Sequence, residues 1–302
     1  MWQTETNGRE SVSKAPRSGV ETSPDANPSR WFVLKGMRGD APAPETFETA
    51  RAVPVLEVFS LAGGVGKTSL VATLGRALSA RGENVLLVEA TPLPSMQYFF
   101  GACDSRPGAL RTFRPPVLSS DAPIRLATVD TEAHAKDSAA QGSLATDIQH
   151  WAQGASRVIV DVGTGSTATV RELSKTSPAI LVPLVPDVNS VVTANAIDSF
   201  FQRQVGATGS QTRVFYLLNQ FEPSLPLHLD VRNMLQERLG DRLLPFTLEH
   251  SPAMSEALAE GMTIIDYAPD AQITADFTNL AKWLETVLAP AQSNSSGRWS
   301  ER

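Results

Sequence analysis

One stretch, Val55 to Leu78, restricts the fold more than any other. The apolar run Val55-Leu56-Glu57-Val58-Phe59 passes into Ser60-Leu61-Ala62-Gly63-Gly64-Val65-Gly66-Lys67-Thr68-Ser69, after which Leu70, Val71, Leu74, Ala77 and Leu78 fall on one face at the helical period. A strand, a glycine-rich loop and an amphipathic helix in that order gather backbone N–H groups and a helix N-terminus around one point, which is how an anion site is built. In such a loop Lys67 reaches the β- and γ-phosphates of a nucleotide and the Thr68 hydroxyl is a ligand for Mg2+. The strict P-loop string asks for Gly where Leu61 stands, so the match is confined to Gly-Gly-x-Gly-Lys-Thr.

The alternation continues along the chain. Asn84 to Ala90, Ile124 to Val129, Arg157 to Asp161, Ala179 to Pro183, Arg213 to Asn219 and Leu243 to Phe246 read as strands, and so does Val53 to Ser60 around the first run. Helical patterns lie between several of them. Leu144, Ile148 and Trp151 share a face, Ser190 is placed to cap a helix reaching Val205, and Leu227 to Leu239 and Phe277 to Leu288 follow. This order predicts an α/β fold, a mainly parallel sheet with helices on both faces and ligands at the carboxyl ends of its strands. The domain is expected over 53–289. An arm, 1–52, is poor in apolar residues and expected to be disordered or partner-binding, with Trp31-Phe32-Val33-Leu34 as an edge strand or lid; 290–302 reads as a flexible tail.

Composition narrows the partners. The 302 residues carry 26 Lys and Arg against 32 Asp and Glu, a net charge of -6, whereas a nucleic-acid binder is usually basic. The single cysteine, Cys103, excludes an intramolecular disulfide framework, and no Cys/His spacing reads as a zinc site. With no signal peptide and no run near the about 18 apolar residues of a spanning helix, a cytoplasmic protein is expected. Proline and small polar residues fill Ala289 to Arg302, where a basic amphipathic membrane helix would stand, so no direct anchor is expected.

Gly63-Gly64-Val65-Gly66-Lys67-Thr68 resembles the deviant Walker A loop, K-G-G-x-G-K-[ST], of the MinD/ParA/Mrp family of P-loop ATPases. Further landmarks follow in the family's order. Leu86-Leu87-Val88-Glu89-Ala90-Thr91-Pro92 stands at switch I, Val158-Ile159-Val160-Asp161 is similar to the Walker B strand, and Leu217-Leu218-Asn219-Gln220 resembles the strand whose Asn reads adenine. The stretch Ser255 to Pro269 is similar to the family's closing segment. Within the family, Gly82-Glu83-Asn84-Val85-Leu86-Leu87-Val88-Glu89-Ala90-Thr91-Pro92 most resembles the BcsQ group of cellulose biosynthesis proteins.

The resemblance implies an ATP- and Mg2+-binding protein that forms a homodimer around its nucleotide. It makes Lys67 and Asp161 the catalytic residues, gives Gly63, Gly64, Val65, Gly66, Lys67, Thr68, Ser69 and Asn219 to the nucleotide, and gives Thr68, Asp161 and Glu89 to the metal. Gly163 or Gly165 would offer an N–H to the γ-phosphate. Two family groups are missing. Ala62 replaces the lysine that crosses to the other subunit's phosphates, with Arg111 or Arg114 as candidate substitutes, and Thr91 replaces the second switch I carboxylate. Each loss costs on the order of 10² in rate where catalysis depends on positioning and charge. The implied function is a weakly hydrolysing switch or assembly factor for bacterial cellulose biosynthesis or secretion. It would partner cellulose synthase complex subunits, through which it could be recruited to the inner membrane or cell pole, and would not bind nucleic acid directly. An active positioning or partition ATPase and a nucleotide-independent scaffold are the alternatives. Asn219-Gln220-Phe221-Glu222 departs from the guanine-reading N-K-x-D and favours ATP over GTP.

Overall fold

A computed structural model describes residues 32–34, 53–104, 107–115, 119–130, 143–174, 179–208 and 212–289. Its centre is an eight-stranded sheet in the order β1-β4-β5-β3-β6-β2-β7-β8. The strands are β1 (Phe32–Leu34), β2 (Val55–Val58), β3 (Val85–Ala90), β4 (Leu110–Arg114), β5 (Ile124–Thr128), β6 (Arg157–Val162), β7 (Ala179–Leu184) and β8 (Arg213–Leu218). From β5 to β8 every pairing is parallel. Only the edge made by β4 on β5 and β1 on β4 is antiparallel. Phe32-Val33-Leu34 is therefore an edge strand, as the apolar island suggested; the rest of the arm and the tail lie outside the described residues.

Successive side chains of a strand point to opposite faces, and here both faces are covered. Leu56, Leu87, Ile159 and Leu181 enter one core with helices α1 (Lys67–Ser79), α6 (Ala253–Ala259), α7 (Ile264–Tyr267) and α8 (Gln272–Val287). Their neighbours Val55, Leu86, Val158 and Ile180 enter the other, under α2 (Leu144–Trp151), α3 (Thr167–Leu173), α4 (Val188–Thr208) and α5 (Pro226–Leu239). Helix α1 lies tightly on β3: a Cβ added at Gly75 would stand 2.7 Å from a Leu87 methyl carbon. The strand order reverses about β2, and the crevice at such a switch point is where open α/β sheets bind ligands.

Two expectations are corrected, and one strand is new. Leu243 to Phe246 is not a strand; it touches β8 through an isolated bridge, Tyr216 with Leu243, where the Leu244 N–H donates to the Tyr216 carbonyl at 2.8 Å, and the next N–H to reach β8 is that of Leu248, on the Leu218 carbonyl at 2.8 Å, four residues on where a ladder would use the second. Ser190 sits inside α4, and Asp187 caps it, its Oδ1 accepting from the Ser190 N–H at 2.8 Å. Strand β4 was not anticipated from the sequence: Leu-Arg-Thr-Phe-Arg buries only Phe113 and lacks the apolar run of the parallel strands.

Candidate nucleotide site

The sheet brings the ends of β2, β3, β6 and β8 toward one crevice. Glu89 on β3 and Val58 on β2 are both in register with Asp161 on β6, so two carboxylates face each other on adjacent strands beside the loop that leaves β2. The loop closes on itself. Ser60 Oγ accepts from the Ala62 N–H at 3.0 Å, Val65 is buried as its anchor, and Gly64 and Gly66 take left-handed φ values of 75° and 81° that a side chain rarely tolerates. Gly66 caps α1, which begins at Lys67, so the helix N-terminus opens on the loop. Gly63 and Gly64 are exposed, with open space where a Cβ would stand, and Ser69 lies in the first turn of α1.

Lys67 is buried, and its Nζ donates to Thr164 Oγ1 at 2.7 Å. Burial pulls its pKa below the ordinary lysine value, and the Asp161 charge opposes that shift. Thr68 Oγ1 donates to Asp161 Oδ2 at 2.6 Å. Asp161 has no solvent exposure, and burial raises its pKa to about 6 against the opposing Thr68 bond and Lys67 charge. Glu89 is equally buried. Its Oε1 accepts from the N–H groups of Ser95 and Met96 at 2.6 and 2.9 Å, and burial, with Asp161 as a neighbouring charge, lifts it to about 7.

The donor set fits a divalent cation held with phosphate. Glu89 Oε2 and Asp161 Oδ1 are buried without a hydrogen-bond partner among the described residues, and the Thr68 hydroxyl stands against the same aspartate. No group of three His, Cys, Asp or Glu gathers among the described residues. Two carboxylates and a hydroxyl leave half of an octahedral shell to water and phosphate oxygens, which suits Mg2+.

The predicted residues of the loop, of β3 and of β6 thus come together. Asn219, from the end of β8, reaches the same loop: its Nδ2 donates to the Val65 carbonyl at 2.8 Å, and a Cβ on Gly66 would lie 2.6 Å from that nitrogen. Other assignments change. The Gly163 and Gly165 N–H groups already donate to the carbonyls of Ala90 and Ser60 at 2.9 and 3.1 Å, so the Thr164 hydroxyl, not a glycine amide, is the group of this loop that meets Lys67. Arg111 and Arg114 stand on β4, with β5, β3 and β6 between them and β2, and Arg111 is held by Asp104. Neither stands beside Ala62 in its own subunit. No local pattern marks Thr164 or Gln220 as a hold on the loop, because their partners lie 97 and 156 residues away.

Comparisons with known proteins agree with this fold. A sequence model of the family Cellulose biosynthesis protein BcsQ matches residues 53–115 and 124–284. The chain belongs to that family. Chromosome partitioning protein ParA of Caulobacter vibrioides is 40% identical over 88 residues, 28% of this chain and 30% of that protein, so the match spans under a third of either. Among solved structures, an ATP complex of McdA from Cyanothece superposes with a TM-score of 0.60 at 16% identity, covering 77% of this chain and 96% of the other. The septum site-determining protein MinD of Pyrococcus horikoshii, complexed with Mg-ADP, gives 0.57 at 16% identity, with 78% and 97% covered. These likenesses establish a MinD/ParA-like P-loop fold. Among the described residues no helix is long and apolar enough to cross a membrane.

Proposed function

We propose that this protein binds Mg·ATP in the Gly63–Thr68 loop and acts as a slowly hydrolysing, dimerising switch in the assembly or regulation of a cellulose-synthesising apparatus. The observation that carries the reading is the Lys67–Thr164 and Thr68–Asp161 pair of contacts, which join the phosphate loop to the end of β6. The family match and the nucleotide complexes of the structural neighbours support it. The cellulose role rests on the family description alone.

The chain's own groups divide the work. Loop amides and the α1 N-terminus hold an anion, and Lys67, drawn from Thr164 to phosphate, adds the cation that stabilises charge on the transferred group. Thr68, Asp161 and Glu89 are the groups that would hold Mg2+, which when bound neutralises phosphate charge. Because Thr164 lets go of Lys67 when phosphate takes the amine, the loop after β6 senses the phosphate. Thr91 offers no carboxylate to orient water and Ala62 no cation to cross to a second subunit, which supports slow turnover. Partners are a second copy and subunits of the synthase complex.

Titration calorimetry with Mg·ATP tests the nucleotide reading: binding is expected for the wild type and loss of about 100-fold or more for Lys67→Ala. An equal affinity of both proteins, or none in the wild type, rejects it. The ParA match of residues favours, as a second reading, an active positioning ATPase; fast turnover stimulated by DNA or a partner would select it.

A further inference from the structure

Gln220 is the only non-glycine among the described residues with a positive φ, 57°. Its backbone is held there from both sides: the Asn219 N–H donates to the Leu184 carbonyl at 2.8 Å and the Phe221 N–H to the Leu248 carbonyl at 2.9 Å. Glycine, or asparagine among side chains, adopts this conformation at least cost, and glutamine is a strained choice. What glutamine adds is reach. Its Nε2 donates to the Gly64 carbonyl at 3.1 Å, while Asn219 Nδ2 donates to the next carbonyl, Val65, at 2.8 Å.

Two consecutive carbonyls of the phosphate loop are therefore pinned toward the end of β8. A trans peptide carries its C=O and N–H on opposite sides of the chain. Holding the carbonyls of Gly64 and Val65 toward β8 turns the N–H groups of Val65 and Gly66 the other way, away from the carboxamides. Those amides belong to the anion cradle, and without an outside hold the two left-handed glycines at 64 and 66 would leave their peptide planes free to rotate.

We infer that Gln220 is a positioning residue for the phosphate cradle: it accepts backbone strain in order to fix the Gly64–Val65 peptide, with Asn219 fixing the next. The inference rests on the nucleotide reading above and assigns Gln220 to phosphate, not to the base. Strain kept at a functional site in this way has a signature, since relieving it raises stability while function falls.

The test uses Gln220→Gly and Gln220→Asn, which both suit the backbone and cannot reach Gly64. Thermal unfolding of the ligand-free proteins is compared with calorimetric affinity for Mg·ATP, Mg·GTP and sodium tripolyphosphate, a probe with no base. Both variants are expected to unfold at or above the wild-type temperature, to bind ATP and tripolyphosphate about fivefold more weakly, as for one lost hydrogen bond, and to keep the wild-type ratio of ATP to GTP affinity. Unchanged tripolyphosphate affinity overturns the inference, and so does a shifted ATP to GTP ratio, which would make Gln220 a base reader. A wild type that binds tripolyphosphate but neither nucleotide rejects the nucleotide reading and leaves the cradle test standing. A wild type that binds none of the three rejects both.

Discussion

Glu89 shows at the scale of one residue what the site costs the fold. An unfolded glutamate titrates near 4.5 and the buried one at about 7, so between those values the native protein holds a proton that the unfolded chain has released. Stability then falls as pH rises through that window, by about 3 kcal/mol across the whole shift. Asp161, moved from 3.8 to about 6, adds a fall of the same sign at lower pH, so the part above pH 6 belongs mainly to Glu89. Glu89→Gln keeps an acceptor for Ser95 and Met96 and removes the charge. In urea titrations without Mg2+ or nucleotide, the variant is expected to be more stable than the wild type at pH 8 by about 2 kcal/mol and to show a flat profile from pH 6 to 8. A wild-type slope retained in that range would show that Glu89 is already ionised in the native protein. Lys67, Thr68 and Asp161 were legible in the sequence because strand, loop and helix are chain-local signals. The hydrogen bonds that Thr164 makes with Lys67 and that Asn219 and Gln220 make with the Val65 and Gly64 carbonyls were not, because only the sheet order brings these partners together.

Among elements, the parallel strands and the apolar edge strand β1 were legible and β4 was not, for one reason. A strand buried on both faces must be apolar throughout, as Val-Leu-Leu-Val-Glu-Ala of β3 nearly is, whereas β4 is covered in part and admits Arg and Thr. The far end of the sheet carries a tie that no motif announces. Arg157, at the start of β6 and with no solvent exposure, donates through Nε and a terminal nitrogen to the Glu83 carboxylate at 2.9 and 3.2 Å and through the other to the Leu288 carbonyl. It joins the turn before β3, the strand β6 and the end of α8, at the opposite end from the phosphate loop. Arg157→Ala leaves the Glu83 charge buried and unpaired, so a loss of about 3–5 kcal/mol is expected by chemical denaturation. Nucleotide affinity of the folded fraction should not change. A loss below about 1 kcal/mol would mean that water replaces the guanidinium at this end of the sheet.

For the whole molecule, the face around the site bears on association. Leu93, in the segment between β3 and the 3-10 turn of Met96–Phe100, is 86% exposed, and Leu61 on the phosphate loop is 37% exposed. Glu89 grips the following Ser95 and Met96 amides, so the segment that presents Leu93 is fastened to the carboxylate pair. In a two-fold dimer that closes over the nucleotide each residue of the interface occurs twice, and one substitution is felt at two places. Burying a leucine contributes about 1.5–3 kcal/mol per copy, and an aspartate there would also set two like charges in a drying interface. With Mg·ATP the 32.4 kDa chain is expected to double in mass by light scattering, and Leu93→Asp to remain a monomer at the same concentration. ATP affinity measured at high dilution should be equal for the two proteins, since the Leu93 side chain stands mostly in solvent and belongs to none of the groups assigned to the cradle. A dimer of Leu93→Asp with wild-type stability would move the interface off this face, and a wild type whose mass ignores nucleotide would favour the nucleotide-independent scaffold. The exposed leucine was unreadable from sequence, because Thr91-Pro92-Leu93-Pro94 reads equally well as a loop whose one apolar side chain turns inward.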